Sequence, residues 1–360
     1  MSDIRSIPVR DFNECADALL QRLRRFQPTL LASNRGADLL WERAAELRIA
    51  PQGECSANGS CRLLPTKEGH IAVNLARPED WTLLPAWLEA SANDWSQLAA
   101  LVARRSAASL VERGRLMGLA VARPNEAIVP DAVDALSDSG ADSAPSPLVV
   151  DLSALWAGPL CSHLLQQCGF QVIKVESLQR PDGAREGSPK HFEALHEGKE
   201  FRCFDFRDPA DLRRLRKLLA RADVVIEGSR PRALRALALD RDSLARQAGG
   251  GIAASPLWLS LTAYGRCSPF GDWVGFGDDV AIAAGAFDSL QPEAPAFIAD
   301  AIADPLAGLL TAWLLLELRR RRVSGLIDFS LFRAAKFCVN WVGDSGGVLA
   351  SPIRQPVLRC

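Results

Sequence analysis

Leu148-Val149-Val150-Asp151-Leu152-Ser153-Ala154-Leu155-Trp156-Ala157-Gly158-Pro159, followed ten residues later by Phe170-Gln171-Val172-Ile173-Lys174-Val175-Glu176, decides the fold. Two short apolar runs flank one helix-length segment. The segment opens at Gly158-Pro159, where a proline suits the first helical turn because no N–H is needed there. It stops at Gly169, a residue that ends helices readily. This is a strand–helix–strand unit. The alternation then continues: a strand at Phe201 to Phe206, a helix over 209–220, a strand at Val224-Val225-Ile226, a helix over 231–238 and a strand from Leu257 to Leu261. Strands alternating with helices predict an α/β domain, with an open, mostly parallel, Rossmann-like sheet covered by helices on both faces. Right-handed crossovers then place the strand C-termini along one edge, where ligands bind.

Upstream the pattern differs. Phe12, Ala16, Leu19, Leu20 and Leu23, then Leu39, Leu40, Ala44, Ala45 and Leu47, recur at helical spacing. Cys61 to Leu64 and Ile71 to Leu75 read as strands around a turn at Lys67-Glu68-Gly69. Trp81 to Leu88 and Trp95 to Arg104 read as helices. Ser137 to Ser146 is small and polar and reads as a linker. The expected organisation is a helical segment over 1–54, a smaller α+β domain over 55–136, a linker over 137–146 and the Rossmann-like domain over 147–360.

Composition narrows the function. A net charge of −1 gives no basic field for nucleic acid or an anionic membrane surface. The longest apolar run, Leu306 to Leu316, is short of the roughly 20 residues that span a bilayer. The start of the chain does not resemble a secretory leader, so a cytoplasmic protein is expected. Nine cysteines and four histidines fall at no zinc spacing. Reduced thiols and no metal are therefore expected. The turn after the first strand carries one glycine and a proline where G-x-G-x-x-G would stand, which argues against a dinucleotide cofactor. Gly249-Gly250-Gly251 precedes a strand rather than a helix and reads as a turn.

These residues resemble CoA-transferase family III, the carnitine-dehydratase and bile-acid-inducible group. Val150-Asp151-Leu152-Ser153 with Ala157-Gly158-Pro159 resembles the family's opening. Gly169 to Glu176, Pro181-Asp182-Gly183-Ala184-Arg185, Gly198-Lys199 and Cys203-Phe204-Asp205-Phe206 follow in the family's order. Ala222 to Pro231 is similar to its A-D-V-x-x-E-N-F-R-P segment, and Leu259 to Gly265 to its serine-rich strand. Ala303-Asp304 falls on its G-D pair, whose aspartate is catalytic. The resemblance implies coenzyme A and acyl-CoA as substrates, no metal, a carboxylic-acid acceptor and an interlocked homodimer. It implies Asp304 as the nucleophile, carrying the acyl group as a mixed anhydride and then CoA as an aspartyl thioester. For CoA it implies Ala157, Gly158, Lys174 or Arg180, Arg185, Lys199, Glu227 and Arg230. For the substrate pocket it implies Tyr264, Asp278 and Asp279.

Each residue has a plainer reading as well. Asp-Pro before an apolar helix is an ordinary cap, and the cations read equally as solvated surface charges. If Asp304 sits at the helix start, the positive helix end is expected to keep it ionised. The racemase branch of the family needs a histidine where Gly275 to Val280 has none, which disfavours that chemistry. Arg232, Ala236 and Ala303 depart from the family pattern. The segment around Gly69 to Trp81 resembles the family's small domain but precedes the large one, which implies a permuted order. A noncatalytic CoA-binding or assembly subunit, or an acyl-CoA isomerase or dehydratase, is the alternative function.

Overall fold

The computed structural model describes residues 9–128, 135–138, 146–247, 256–291 and 294–341. Helices α1 (Val9–Leu23) and α2 (Asp38–Leu47) come first, then strands β1 (Cys61–Thr66) and β2 (Gly69–Asn74). Helices α3 (Pro78–Leu88), α4 (Trp95–Val102) and α5 (Ala107–Leu116) lead to β3 (Ala120–Ala122) and β4 (Ala135–Asp138). The strand–helix–strand unit is β5 (Leu148–Leu152), α6 (Ala157–Gln167) and β6 (Gln171–Ser177). Then come α7 (Ala184–Gly187), α8 (Pro189–His196), β7 (Glu200–Phe204), α9 (Pro209–Leu219), β8 (Val224–Glu227), α10 (Pro231–Ala236), α11 (Arg241–Gln247) and β9 (Leu257–Thr262). The remainder is α12 (Gly277–Ala284), β10 (Asp288–Gln291), β11 (Ala294–Ala296), α13 (Ala303–Arg320), β12 (Val323–Ser330) and α14 (Leu331–Val339).

The main sheet runs β4-β12-β9-β8-β5-β6-β7. Six strands are parallel, and β4 pairs antiparallel with β12 at one edge. The chain steps from β5 out through β6 to β7, then returns to the other side of β5 and moves out through β8, β9 and β12. The order reverses between β5 and β8. In such sheets the crevice outside the strand C-termini at the reversal is where ligands bind.

Alternation along the strands explains the two faces. Val149, Val172, Val224, Ile226, Leu257, Leu259 and Ile327 point into one core with α1, α6, α13 and α14. Val150, Ile173, Val175, Val225, Trp258 and Leu326 point into the other, beneath α9 and α10. Both faces are covered, so the central strands read as continuous apolar runs. Helix α13 crosses α6 closely. A Cβ at Gly308 would meet Leu160 side-chain atoms at 2.8–2.9 Å, so the crossing needs glycine.

Around Trp87, Leu84, Leu98 and Val111 a smaller core joins β1–β3 to α3–α5. The opposite face of β1 and β2 packs Cys61, Leu63 and Ala72 against Ile282 and Phe287, which docks this unit on α12. Helix α1 buries Phe12, Cys15, Leu19 and Leu23 in the same core as α13, and Cys15 Sγ lies 3.0 Å from Cys338 Sγ.

Some expectations need correcting. The expected linker starts inside a strand, since Ser137 and Asp138 belong to β4; residues 139–145 lie outside the described residues. The turn at Gly249–Gly251 also lies outside them. Strand β12 is not apparent in the sequence. Its Gly325 and Asp328 break the apolar run, and pairing with β9 and β4 defines it. Among the described residues Cys267 is disulfide-bonded, against the expectation of reduced thiols throughout, and the other seven cysteines are free. No described helix is long and apolar enough to cross a membrane.

Candidate active site

Asp304 lies in the first turn of α13, two residues past the N-cap Ile302. It is not the cap residue that the Asp-Pro pair suggested. The turn before it is strained. Ala299 and Ala301 both have positive φ, 56° and 47°, in a region that side-chain-bearing residues avoid. Such strain persists only where surrounding contacts fix it. Here they do. The Ala301 N–H donates to Asp278 Oδ1 at 2.9 Å, and Ala301 O accepts from the Asp304 N–H at 2.9 Å. Between the two aspartates, Arg43 of α2 clamps Asp300, Nε to Oδ2 at 2.6 Å and Nη2 to Oδ1 at 2.7 Å. The Arg43 guanidinium lies 4.5 Å from the centre of the Trp156 ring, which leads into α6. The Gly277 backbone at the start of α12 lies against the Asp304 carboxylate, so close that a Cβ there would stand 2.2 Å from Oδ2.

Three carboxylates thus share one arginine. Asp278 and Asp300 are buried, and Asp304 keeps partial exposure. Burial pushes the Asp304 carboxyl up to about 7; Arg43 opposes this, Asp300 adds to it, and the Gly277 N–H opposes it. Burial and Asp300 also push Asp278 up to about 7, against the pull of the Ala301 N–H and Arg43. Burial therefore outweighs the helix end, contrary to the expectation of a fully ionised Asp304. A carboxyl poised near 7 is half ionised at neutral pH and a stronger base than an ordinary aspartate.

The linkage has a definite sign. An acid whose folded pKa lies above its unfolded value binds more protons in the folded state between the two. Its contribution to stability is full below about pH 4 and is lost as pH rises through about 7. Asp278→Asn keeps an acceptor for the Ala301 N–H but removes the charge. Its melting temperature should exceed the wild type by several degrees at about pH 8 and by much less at about pH 5. Equal gains at both pH values would contradict the shifted carboxyl.

The remaining sequence-predicted residues divide into interior and rim. Lys174 is fully buried and donates to Ser153 O and, at 3.1 Å, to Asp182 Oδ2. Lys199 is buried and donates to Pro159 O at 2.9 Å and Ser162 Oγ at 2.7 Å, with Asp151 at 3.9 Å. Both lysines therefore spend their donors inside the turn that starts α6 rather than on a surface ligand. Asp182 holds that turn as well, accepting from the Leu155 N–H at 3.0 Å. Gly158 is needed there because a Cβ would stand 2.0 Å from Ser153 Oγ, and Ala157 is buried beside it. Glu227 is buried, with Oε1 on Arg266. Tyr264, expected in the substrate pocket, is fully buried against Trp273 and Phe332. Asp279 is buried and accepts from Asn74 Nδ2 and the Phe276 N–H, each at 2.9 Å.

Three arginines stay at the rim. Arg185 pairs with Glu176 at 3.1 Å and lies over Phe192. Arg180 and Arg230 are exposed near the β5–β8 reversal. Arg230 is held below the usual arginine range by burial and by neighbouring Arg232, Arg77 and Arg180, with only Asp272 opposing. Like charges gathered in this way favour an anion.

Sequence reasoning missed Arg43, Asp300, Arg77 and Arg232. Arg43 and Arg77 lie in the N-terminal part, far along the chain from Asp304, so no local spacing could connect them. Asp300 stands four residues before Asp304, but its meaning depends on Arg43. Among the described residues no group of three or more histidine, cysteine or carboxylate side chains is arranged to hold a metal.

The sequence profile of CoA-transferase family III matches residues 147–347, more than half of the chain. The chain is 29% identical over 205 residues to succinyl-CoA–D-citramalate CoA-transferase of Chloroflexus aurantiacus, covering 52% of this chain and 50% of that protein. It is 28% identical over 141 residues to succinate–glutarate CoA-transferase of Agrobacterium fabrum, covering 36% of this chain and 34% of that one. It therefore spans about half the length, or less, of these curated relatives. Among solved structures, a CAIB/BAIF family protein from Brucella suis matches at 26% identity and a TM-score of 0.46, over 57% of this chain and 56% of that one. With the profile spanning the six parallel strands and Asp304, the chain belongs to CoA-transferase family III.

Proposed function

We propose that this protein moves CoA between an acyl-CoA thioester and a carboxylic acid, with Asp304 as nucleophile. The observation that carries the reading is the Asp304 carboxyl itself. It is poised near neutrality and partly exposed, and it lies against the Gly277 backbone on the profile-matched part of the chain.

In this reading one Asp304 oxygen attacks the thioester carbonyl. The C–S bond breaks, giving an aspartyl–acyl anhydride and CoA thiolate. The thiolate attacks the aspartyl carbonyl, releasing the donor acid and leaving an aspartyl-CoA thioester. The acceptor carboxylate attacks that thioester, re-forming an anhydride, and the thiolate then takes the acceptor's acyl carbon and frees Asp304. One thioester replaces another, so no energy source is needed. The Gly277 N–H favours the ionised Asp304 carboxylate and so supports negative charge on the aspartyl oxygen.

For the CoA phosphates we assign the exposed Arg180 and Arg230, with Arg77 and Arg232 adding to the field. Arg180→Ala and Arg230→Ala should each weaken CoA binding about tenfold, an ordinary loss for one charge-assisted contact. Calorimetric titration measures it, and unchanged affinity in both would move the phosphate site elsewhere.

The relatives' names concern succinyl-CoA and dicarboxylic or hydroxy acids. Succinyl-CoA is therefore the first donor to test and a dicarboxylic acid the first acceptor. The proposal includes a homodimer, a cytoplasmic setting and a small α+β domain over 55–136 that precedes the large domain in a permuted order. Incubation with succinyl-CoA and a panel of other acyl-CoAs should give an adduct on Asp304, cleaved by hydroxylamine and seen by mass spectrometry. CoA binding without adduct or exchange supports a noncatalytic subunit. Rearranged acyl-CoA formed without any acceptor acid supports an isomerase.

A further inference from the structure

The family profile begins at residue 147, yet the Asp304 site is closed on one side by a residue from 104 positions earlier in the chain, Arg43 of α2. We propose that Arg43 is a positioning residue for Asp304: its fork on Asp300 holds the left-handed turn that aims the nucleophile, and its charge balances the acid cluster. The inference rests on the proposed nucleophilic role of Asp304, but its test has a readout that does not.

Three observations converge. First, the clamp is bidentate and its acceptor is fully buried, so Asp300 has no freedom to reorient. Paired N–H donors on one carboxylate fix both distance and plane. Second, Asp300 lies between Ala299 and Ala301, the two residues with positive φ. Holding Asp300 therefore holds the strained turn, and Asp304 follows after a single helical residue preceded by the cap. Third, Arg43 is itself immobilised. Its guanidinium stacks on Trp156, which also meets the His191 ring edge-on at 4.8 Å. The neighbouring Glu42 reaches His191 Nδ1 at 3.7 Å. Helix α2 is thus seated against the start of α6 and against α8, and from that seat it presents one cation to the acids.

The charged groups around Asp304 come from every element packed there: Arg43 from α2, Asp300 from the preceding turn and Asp278 from α12, with His191 of α8 facing Arg43. His191 is held neutral at pH 7 by burial and by Arg43 itself, so Arg43 is the cation acting on the cluster. Arg43 lowers the Asp304 carboxyl against burial and Asp300, and an opposite charge within about 4–6 Å of a carboxyl is worth about one pH unit or more. Lysine would retain the charge but lose the fork.

The test uses the full-length protein with Arg43→Gln, Arg43→Lys and the double variant Arg43→Gln/Asp300→Asn. The double variant does not leave Asp300 as a buried charge stripped of its partner, so it guards against a trivial failure to fold. Two readouts are needed: the pH profile of kcat/KM, and a 13C carboxyl titration of Asp304 assigned with Asp304→Asn. Arg43→Gln should lower kcat at least tenfold and move the acidic limb and the Asp304 titration up by about one pH unit. Arg43→Lys should return the titration to near the wild-type position while kcat stays reduced. In the double variant kcat should remain at least tenfold low, with the titration near wild type because an attraction and a repulsion are removed together. A wild-type kcat in the double variant, or an unmoved Asp304 titration in folded Arg43→Gln, overturns the proposal. Should the wild type form no acyl adduct, the CoA-transfer reading falls, and the carboxyl titration still decides whether Arg43 governs Asp304.

Discussion

Asp304→Asn should abolish the hydroxylamine-sensitive adduct and lower CoA exchange by roughly 10³–10⁴-fold, the loss typical when a covalent nucleophile is removed. Asparagine has nearly the same shape and keeps a carbonyl oxygen beside Gly277. What it lacks is the ability to become an acyl carrier. The same substitution should stabilise the fold above about pH 7. A carboxyl raised to about 7 by burial imposes a cost whenever it is ionised, and the amide does not. Activity and stability therefore move in opposite directions, as they do where a site is kept under strain for function. A structural cap would behave differently: asparagine caps about as well as aspartate, so neither quantity would move far. Steady-state exchange with succinyl-CoA, together with melting curves at about pH 6 and about pH 8, separates the two cases. Retained exchange in Asp304→Asn would remove the carboxylate from the mechanism.

Gly277→Ala should reduce turnover by about 100-fold and destabilise the protein by about 1–3 kcal/mol. A Cβ there would stand 2.2 Å from Asp304 Oδ2, 2.4 Å from Ala301 O and 2.7 Å from Ala301 Cβ. Two of these neighbours belong to the strained turn and the third is the proposed nucleophile, so none can yield without disturbing the site. Helix propensity favours alanine by only about 1 kcal/mol at such a position, and sterics outweigh it. Gly187→Ala is the matched control, since a Cβ at Gly187 would meet nothing within 4 Å and its φ is not positive. It should leave exchange and melting temperature unchanged. The informative readout is the ratio of adduct formation to CoA affinity. Gly277→Ala should bind CoA normally, because Arg180 and Arg230 are untouched, yet acylate slowly. Equal losses in binding and acylation would indicate general misfolding instead.

The alternation from residue 148 onward was legible because it rests on local causes. Val149-Val150, Val172-Ile173 and Val224-Val225-Ile226 are β-branched runs with covered faces on both sides, and Pro159, Pro209 and Pro231 mark helix starts. Helices α1 and α2 were equally plain from their spacing, whereas α5 (Ala107–Leu116) was not read from the sequence. Strand β12 was not, because nothing in Val323 to Ser330 distinguishes it from a turn until β9 lies beside it. Asp304 was found through the order of motifs around it. Its protonation behaviour was misjudged because a helix start suggests an ionised acid, while burial beside Asp300 dictates the reverse.

The sequence alone determined the sheet class and the family and pointed to the carboxylate proposed as nucleophile, because periodicity and short motifs are properties of neighbours along the chain. Only the tertiary structure decided which charges face that residue. It turned Lys174 and Lys199 inward onto backbone carbonyls and left Arg180 and Arg230 at the rim. It also brought Arg43 across 257 positions to Asp300. Electrostatic energy depends on distance through space and on burial, and neither quantity is written in a linear order of residues.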